Sequence, residues 1–202
     1  MQAVTFRSTF NKVLSILLWT ALGAAAAAAL FSPGALPLLA GVPVAAAGGA
    51  ALVWALLWAP CIRVDEAGVQ VDNVLVEHRI PWGALIHVDT AYALTLHTPA
   101  RRIRATGAPA PGQLTAFRAT RSEKRRLDRL GAGEGIRPGD LPGTDSGRAA
   151  ELVRGRWERL RDSGVIEPGR ADQLSVQRTP RTGAILAVVL GATALIGGVL
   201  LL

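Results

Sequence analysis

The run Cys61-Ile62-Arg63-Val64-Asp65-Glu66-Ala67-Gly68-Val69-Gln70-Val71-Asp72 alternates apolar and polar residues on either side of a four-residue break. A side-chain period of two marks a half-buried strand, and two such runs joined by a short turn make an antiparallel hairpin. Asp65-Glu66-Ala67-Gly68 supplies the turn, with Gly68 expected at positive φ, and pairing Val64 with Val69 keeps the apolar residues on one face. The alternation continues to Thr106: Val74, Val76, His78 and Ile80 interleave with Leu75, Glu77 and Arg79, and Tyr92, Leu94 and Leu96 with Ala93, Thr95 and His97. Asp72-Asn73 reads as a second turn, and Ile80-Pro81-Trp82-Gly83 interrupts the pattern because proline donates no ladder bond. About six short strands in so little chain predict a small antiparallel sheet curved into a partly open barrel.

Outward from these strands the composition changes. Val13 to Phe31, Leu36 to Ala59 and Ala184 to Leu202 contain no ionisable residue. At ~1.5 Å per helical residue, about 20 residues cover a hydrocarbon layer of ~30 Å, so the three stretches predict three transmembrane helices. Arg7 and Lys12 precede the first, Arg63 follows the second, and Arg178 and Arg181 precede the third, while neither the Phe31–Ala35 connection nor the C-terminus is basic. By the cytoplasmic bias of basic flanks, the N-terminus and residues 61–182 are expected inside a plasma membrane, with an external turn at Ser32-Pro33-Gly34 and an external C-terminus. A cleavable signal peptide is the competing reading of the first stretch, and residues 61–182 stay inside on either one. With no ionisable group at membrane depth, transport is not expected. Gly23 with Ala27, and Ala45 with Gly49, are spaced for close helix contact, although such spacings are common in alanine-rich spans. Pro43 is placed to kink the second helix, and Trp54 and Trp58 suit either an interfacial anchor or helix packing.

The soluble chain divides by charge. Residues 61–100 carry Arg63 and Arg79 against Asp65, Glu66, Asp72, Glu77 and Asp89, a net of −3, whereas residues 101–129 carry nine basic side chains against Glu123 and Asp128, a net of +7. Within the second group Arg121, Lys124, Arg125 and Arg126 are the candidate contacts to anionic lipid. Gly107 to Gly112 reads as a proline-rich linker, Gln113 to Leu130 as a basic helix or a disordered arm, and Gly131 to Gly147 as too rich in glycine and proline to pack. Asp145 or Ser146 is placed to cap a helix over about 146–163, ended by Gly164 and Pro168. Its apolar side holds Ala149, Leu152, Val153, Trp157 and Leu160, and its basic side Arg154, Arg156, Arg159 and Arg161. Such a helix either docks on the strand domain or lies on the inner leaflet.

Catalytic chemistry finds no constellation here. A single cysteine, Cys61, excludes an intramolecular disulfide and a cysteine-rich metal site. Strand parity turns His78 inward and His87 and His97 outward, so the three do not converge on a metal. No glycine-rich phosphate loop, Ser/His/Asp grouping or CxxC occurs, and neither a cofactor nor a small-molecule substrate is expected. Trp82, beside the proline break, reads as a packing residue, and the arginines of 121–129 lack the interleaved aromatic residues that nucleic-acid binding favours.

Several stretches together resemble one family. Val64 to Val69, Asp72 to Leu75, Ile80-Pro81-Trp82 and Tyr92 to Leu96 are similar to the bacterial PH-like domain of the low-molecular-weight-antigen type, found in actinobacterial membrane proteins. Phe6-Arg7-Ser8, Ala108 to Gly112, Arg137 to Asp140, Arg156 to Arg161 and the final apolar span are similar to the same proteins. The resemblance implies a PH-like fold carried by a small membrane protein; with the readings above, this places the fold at about 61–112, after an N-terminal two-helix transmembrane hairpin (1–60) and before a basic, flexible region with one helix (113–182) and a third transmembrane helix (184–202). It brings no catalytic residues with it. The expected function is that of a non-enzymatic membrane-anchored scaffold binding a protein partner or itself, with an anionic-lipid head-group sensor as the alternative. A reporter fused at Gly133 should behave as cytoplasmic and one after Leu202 as external; a periplasmic-type signal at Gly133 would overturn this topology.

Overall fold

The computed structural model describes residues 3–31, 36–109, 144–166 and 171–202. In chain order the elements are β1 (Val4–Phe6), α1 (Thr9–Leu30), α2 (Leu36–Val53, continued by a π-helical turn at Trp54–Trp58), β2 (Cys61–Val64), β3 (Gly68–Asp72), β4 (Val76–Pro81), a 3-10 turn (Trp82–Ala84), β5 (His87–Asp89), β6 (Ala93–His97), β7 (Arg102–Pro109), α3 (Asp145–Asp162), a second 3-10 turn (Ala171–Gln173), β8 (Gln177–Pro180) and α4 (Thr182–Leu200). The described residues fall into two compact units, one within Met1–Ser8, Cys61–Asn73 and Glu77–Thr179, the other within Thr9–Pro60, Val74–Val76 and Pro180–Leu202.

The helical unit contains three helices long and apolar enough to cross a membrane, over Thr9–Ala29, Ala40–Trp58 and Thr182–Leu200. The close contact expected of small residues falls partly elsewhere than the spacing suggested. A Cβ on Gly23 would meet nothing within 4 Å, whereas one on Gly48 would lie 2.4 Å from the Leu195 backbone nitrogen and one on Gly198 2.4 Å from that of Ala45. Gly41, Ala45 and Gly48 of α2 thus admit the backbone of α4 at Gly191 and Gly198, since without side chains between them two helices approach to van der Waals contact of their main chains. Gly49 instead faces Leu22 of α1. Trp58 packs on Trp19 with ring centres 5.2 Å apart, and the Trp19 indole donates to the Ala50 carbonyl at 3.1 Å.

The strand unit holds two antiparallel sheets, ordered β1-β2-β3-β4-β8 and β5-β6-β7, which do not close into a barrel. The hairpin register is the one its pattern requires: Val64 opposes Val69, and Ile62 opposes Val71. Ile62, Val64, Val69, Val71 and Ile80 of the first sheet meet Val88, Leu94, Leu96, Ile103 and Ala105 of the second in one core, each Val, Leu or Ile contributing about 1.5–3 kcal/mol by leaving water. Asn73 joins the sheets at their end. Its amide donates to the Arg104 carbonyl at 2.8 Å and its side-chain oxygen accepts from the Thr106 amide at 2.8 Å, as a peptide group in a ladder would.

Several strand boundaries depart from the alternation. Val74 lies outside β4, and Tyr92 stands 80% exposed ahead of β6, where the register shifts between Ala93 and Thr95 and displaces the period. Gly107, Ala108 and Pro109 extend β7 rather than beginning a linker, because Gly107 and Ala108 are buried against the core. The helix expected over 146–163 docks on the strands: Ala149, Ala150 and Val153 belong to the core, with Leu152, Trp157 and Leu160 packed beside it. Its cap is Thr144, whose hydroxyl accepts from the Gly147 amide at 2.9 Å, in place of Asp145 or Ser146. It ends at Gly164, which has φ +72°, the left-handed conformation that closes helices.

Gly68, by contrast, does not have positive φ. The turn is closed by Asp65, whose carboxylate accepts from the amides of Ala67 at 2.8 Å and Gly68 at 2.9 Å. Glycine is required for a different reason: a Cβ there would stand 2.1 Å from the Ile80 carbonyl oxygen, in the backbone of β4. Gly68→Ala should therefore destabilise the fold by about 1–3 kcal/mol, the usual range for overpacking. A thermal midpoint in detergent unchanged from wild type would refute this close-approach argument.

Candidate interaction surface

β3 is the middle strand of the five-stranded sheet, and every one of its residues is buried. Because side chains alternate, Val69 and Val71 fill the core while Gln70 and Asp72 face the other way, with Asp72 only 2% exposed. A carboxylate out of water must be paired and hydrogen-bonded, and β2 and β3 itself supply the partners. The Arg63 guanidinium lies 3.1 Å from it, Gln70 Nε2 donates at 2.9 Å and the Cys61 thiol at 3.3 Å, while Arg79 donates to Gln70 Oε1 at 3.0 Å. Burial, and after it the Asp72 charge, pushes the Cys61 thiol up, with Arg63 and Arg7 opposing. The thiol therefore stays protonated near neutral pH and is a poor nucleophile.

The 3-10 turn after β4 sets Trp82 nearly buried, its indole donating to the Asp65 carbonyl at 3.1 Å. Above it opens a cleft of about 400 Å³ between the β2–β3 turn, Pro81–Gly83, the end of α3 at Leu160, and the segment bearing Val165 and Leu174. Among the described residues the lining contains Glu66 and Gln173 and no lysine or arginine. Val165 is 70% and Leu174 41% exposed at this site, so large apolar side chains are presented to solvent around a Trp floor. A neighbouring cleft of about 110 Å³, lined by Val64, Glu66 and Leu152 among others, carries Arg156 and Arg159.

The remaining arginines are distributed rather than gathered. Arg102 and Arg104 are exposed on β7, and Arg154 turns from the basic side of α3 to donate to the Val88 carbonyl at 2.9 Å. Arg161 lies over the Trp157 ring at 5.3 Å. Arg121, Lys124, Arg125 and Arg126, the sequence-based candidates for anionic lipid, fall outside the described residues. The apolar cleft was not legible in sequence, because its walls come from four segments distant in the chain; the exposed apolar character of Val165 and Leu174 was its only local sign. Among the described residues no three or more His, Cys, Asp or Glu side chains gather as a metal site.

His78 faces the same way as Val71, its partner in register, and its Nδ1 is buried without a hydrogen bond. Burial lowers its pKa, and the charges of Arg101 and Arg178 lower it further. The unfolded chain, with the ordinary imidazole value, then binds more protons than the folded one as pH falls through about 6.5, so stability declines on acidification until the depressed folded pKa is passed. The thermal midpoint should drop between pH 7.5 and 5.5, and His78→Gln should reduce that drop; an identical drop in the variant would dismiss this assignment.

Residues 59–156 match the family model of the bacterial PH domain. No curated protein and no solved structure matches the chain. The matched stretch takes in β2 to β7 and most of α3, the elements that share the hydrophobic core, and it supports a PH domain-containing bacterial protein.

Proposed function

We propose that this is a membrane-anchored, non-enzymatic scaffold whose PH-like domain binds a protein partner, or a second copy of the chain, at the cytoplasmic face of the cell membrane. A PH-like domain is a protein or lipid interaction module, and the character of its cleft favours a protein. The observation that carries the reading is the cleft over Trp82, lined among the described residues mainly by apolar side chains, with Glu66 and Gln173 and no basic side chain. A phosphate head group entering it would meet the Glu66 carboxylate, whereas an apolar side chain of a protein would cover Trp82, Val165 and Leu174. The three apolar helices supply the anchor, and the basic flanks Arg7, Lys12, Arg63, Arg178 and Arg181 favour the cytoplasmic orientation. The resemblance to actinobacterial proteins of the low-molecular-weight-antigen type fits the same arrangement.

The head-group sensor is favoured by one feature, the smaller cleft beside Arg156 and Arg159, to which Arg121, Lys124, Arg125 and Arg126 would add screened attraction of about 1 kcal/mol per basic residue near an anionic surface. Asp65 and Glu66 line that cleft as well and oppose an anion there. A photo-crosslinking residue at position 165 of the full-length membrane protein distinguishes the readings. Discrete protein adducts, at the mass of a dimer for self-association, are expected, and Leu174→Glu should reduce them about tenfold, as loss of a modest apolar anchor does. Lipid adducts alone would make the sensor the better reading.

A further inference from the structure

β5 and β6 place His87 directly opposite His97. The next pair in register, Val88 and Leu96, is buried in the core, so the two histidines stand on the other face of the sheet. Their ring centres are 5.5 Å apart with planes at 65°, and their contact with each other is the one side-chain interaction either imidazole makes among the described residues. Sequence parity set aside a site built from all three histidines; the fold nonetheless brings two of them together.

We propose that His87 and His97 form a two-histidine site for a late first-row divalent cation, Zn²⁺, Ni²⁺ or Cu²⁺. A metal–nitrogen bond of about 2.1 Å, with the ring centre about 1.1 Å beyond the nitrogen, separates two imidazoles on one ion by about 5.2 Å at a tetrahedral angle and about 5.5 Å at a trigonal one. The observed spacing thus requires ring rotation and no movement of the strands. Neutral imidazole selects these ions over Mg²⁺ and Ca²⁺, which prefer oxygen, and water completes the coordination on the exposed side. Two nearby charges oppose each other. Arg102 lies opposite His97 on β7 and repels a cation, while Asp89, two residues along β5 on the same face, attracts one although its carboxylate accepts from the Thr90 and Ala91 amides. A bound ion would fasten the three-residue edge strand β5 to β6.

The test is titration of the full-length, tag-free protein in detergent with ZnCl₂ and, separately, NiCl₂, read by calorimetry and by thermal midpoint. One ion should bind per chain, His87→Ala and His97→Ala should each weaken binding at least tenfold, and Arg102→Gln should strengthen it. At about a fivefold excess over Kd the midpoint should rise by about 2–4 °C, and MgCl₂ should leave it unchanged. Both histidines lie off the core, so the variants are expected to melt normally without metal. Binding that fails to saturate below about 1 mM, or that persists in the double His87→Ala/His97→Ala variant, would overturn the site.

Discussion

A carboxylate sequestered in the middle strand of a sheet constrains everything packed around it, and Asp72 is such a group. Its two oxygens are satisfied by Arg63 and Cys61 on the preceding strand and by Gln70 on its own, with Arg79 holding Gln70 from the following strand. This fixes the register of β2, β3 and β4 from the polar side while Val64, Val69 and Ile80 fix it from the core. A one-residue slip would expose the core residues and also strand a buried charge, a cost of several kcal/mol. The same close pairing brings Gly68 against the backbone of β4.

The edges of the sheet come from the two ends of the chain. β1 lies on one edge and β8 on the other, and both are short, with β8 carrying Pro180, features that discourage pairing with foreign strands. Only Arg7 and Ser8 separate β1 from the first apolar helix, and only Arg181 separates β8 from the last. The Ser8 hydroxyl donates to Asp145 in the first turn of α3, where Arg148 also pairs with Asp145 at 2.7 Å and lies 5.8 Å from the centre of the Phe6 ring. A fragment limited to 61–112 would therefore lack both edge strands and the helix that completes the core.

Interaction chemistry is spread over distinct surfaces of this unit. The apolar cleft over Trp82 carries a carboxylate, the smaller cleft beside it mixes carboxylates with arginines, and the outer face of the second sheet holds the histidine pair beside Arg102. The two clefts share Glu66 of the β2–β3 turn and are both lined in part by α3, whereas the histidine pair stands on β5 and β6 of the other sheet. An apolar ligand and a cation would thus be recognised independently.

The amino-acid sequence by itself determined the local and periodic features. The pairing of Val64 with Val69, the interruption at Pro81, the apolar face of α3, its end at Gly164 and the three apolar helices all rest on interactions within a few residues or on a repeating pattern. Tertiary structure decided what depends on partners far along the chain. Gly68 is needed because of Ile80, not because of its own φ; the tight approach of α2 uses Gly191 and Gly198, which no spacing within α2 could identify; and Phe6 and Arg154 are placed by strands they do not adjoin. The candidate site belongs to this second class, since a cleft is the space left between elements, and its shape is set by their packing rather than by any one segment.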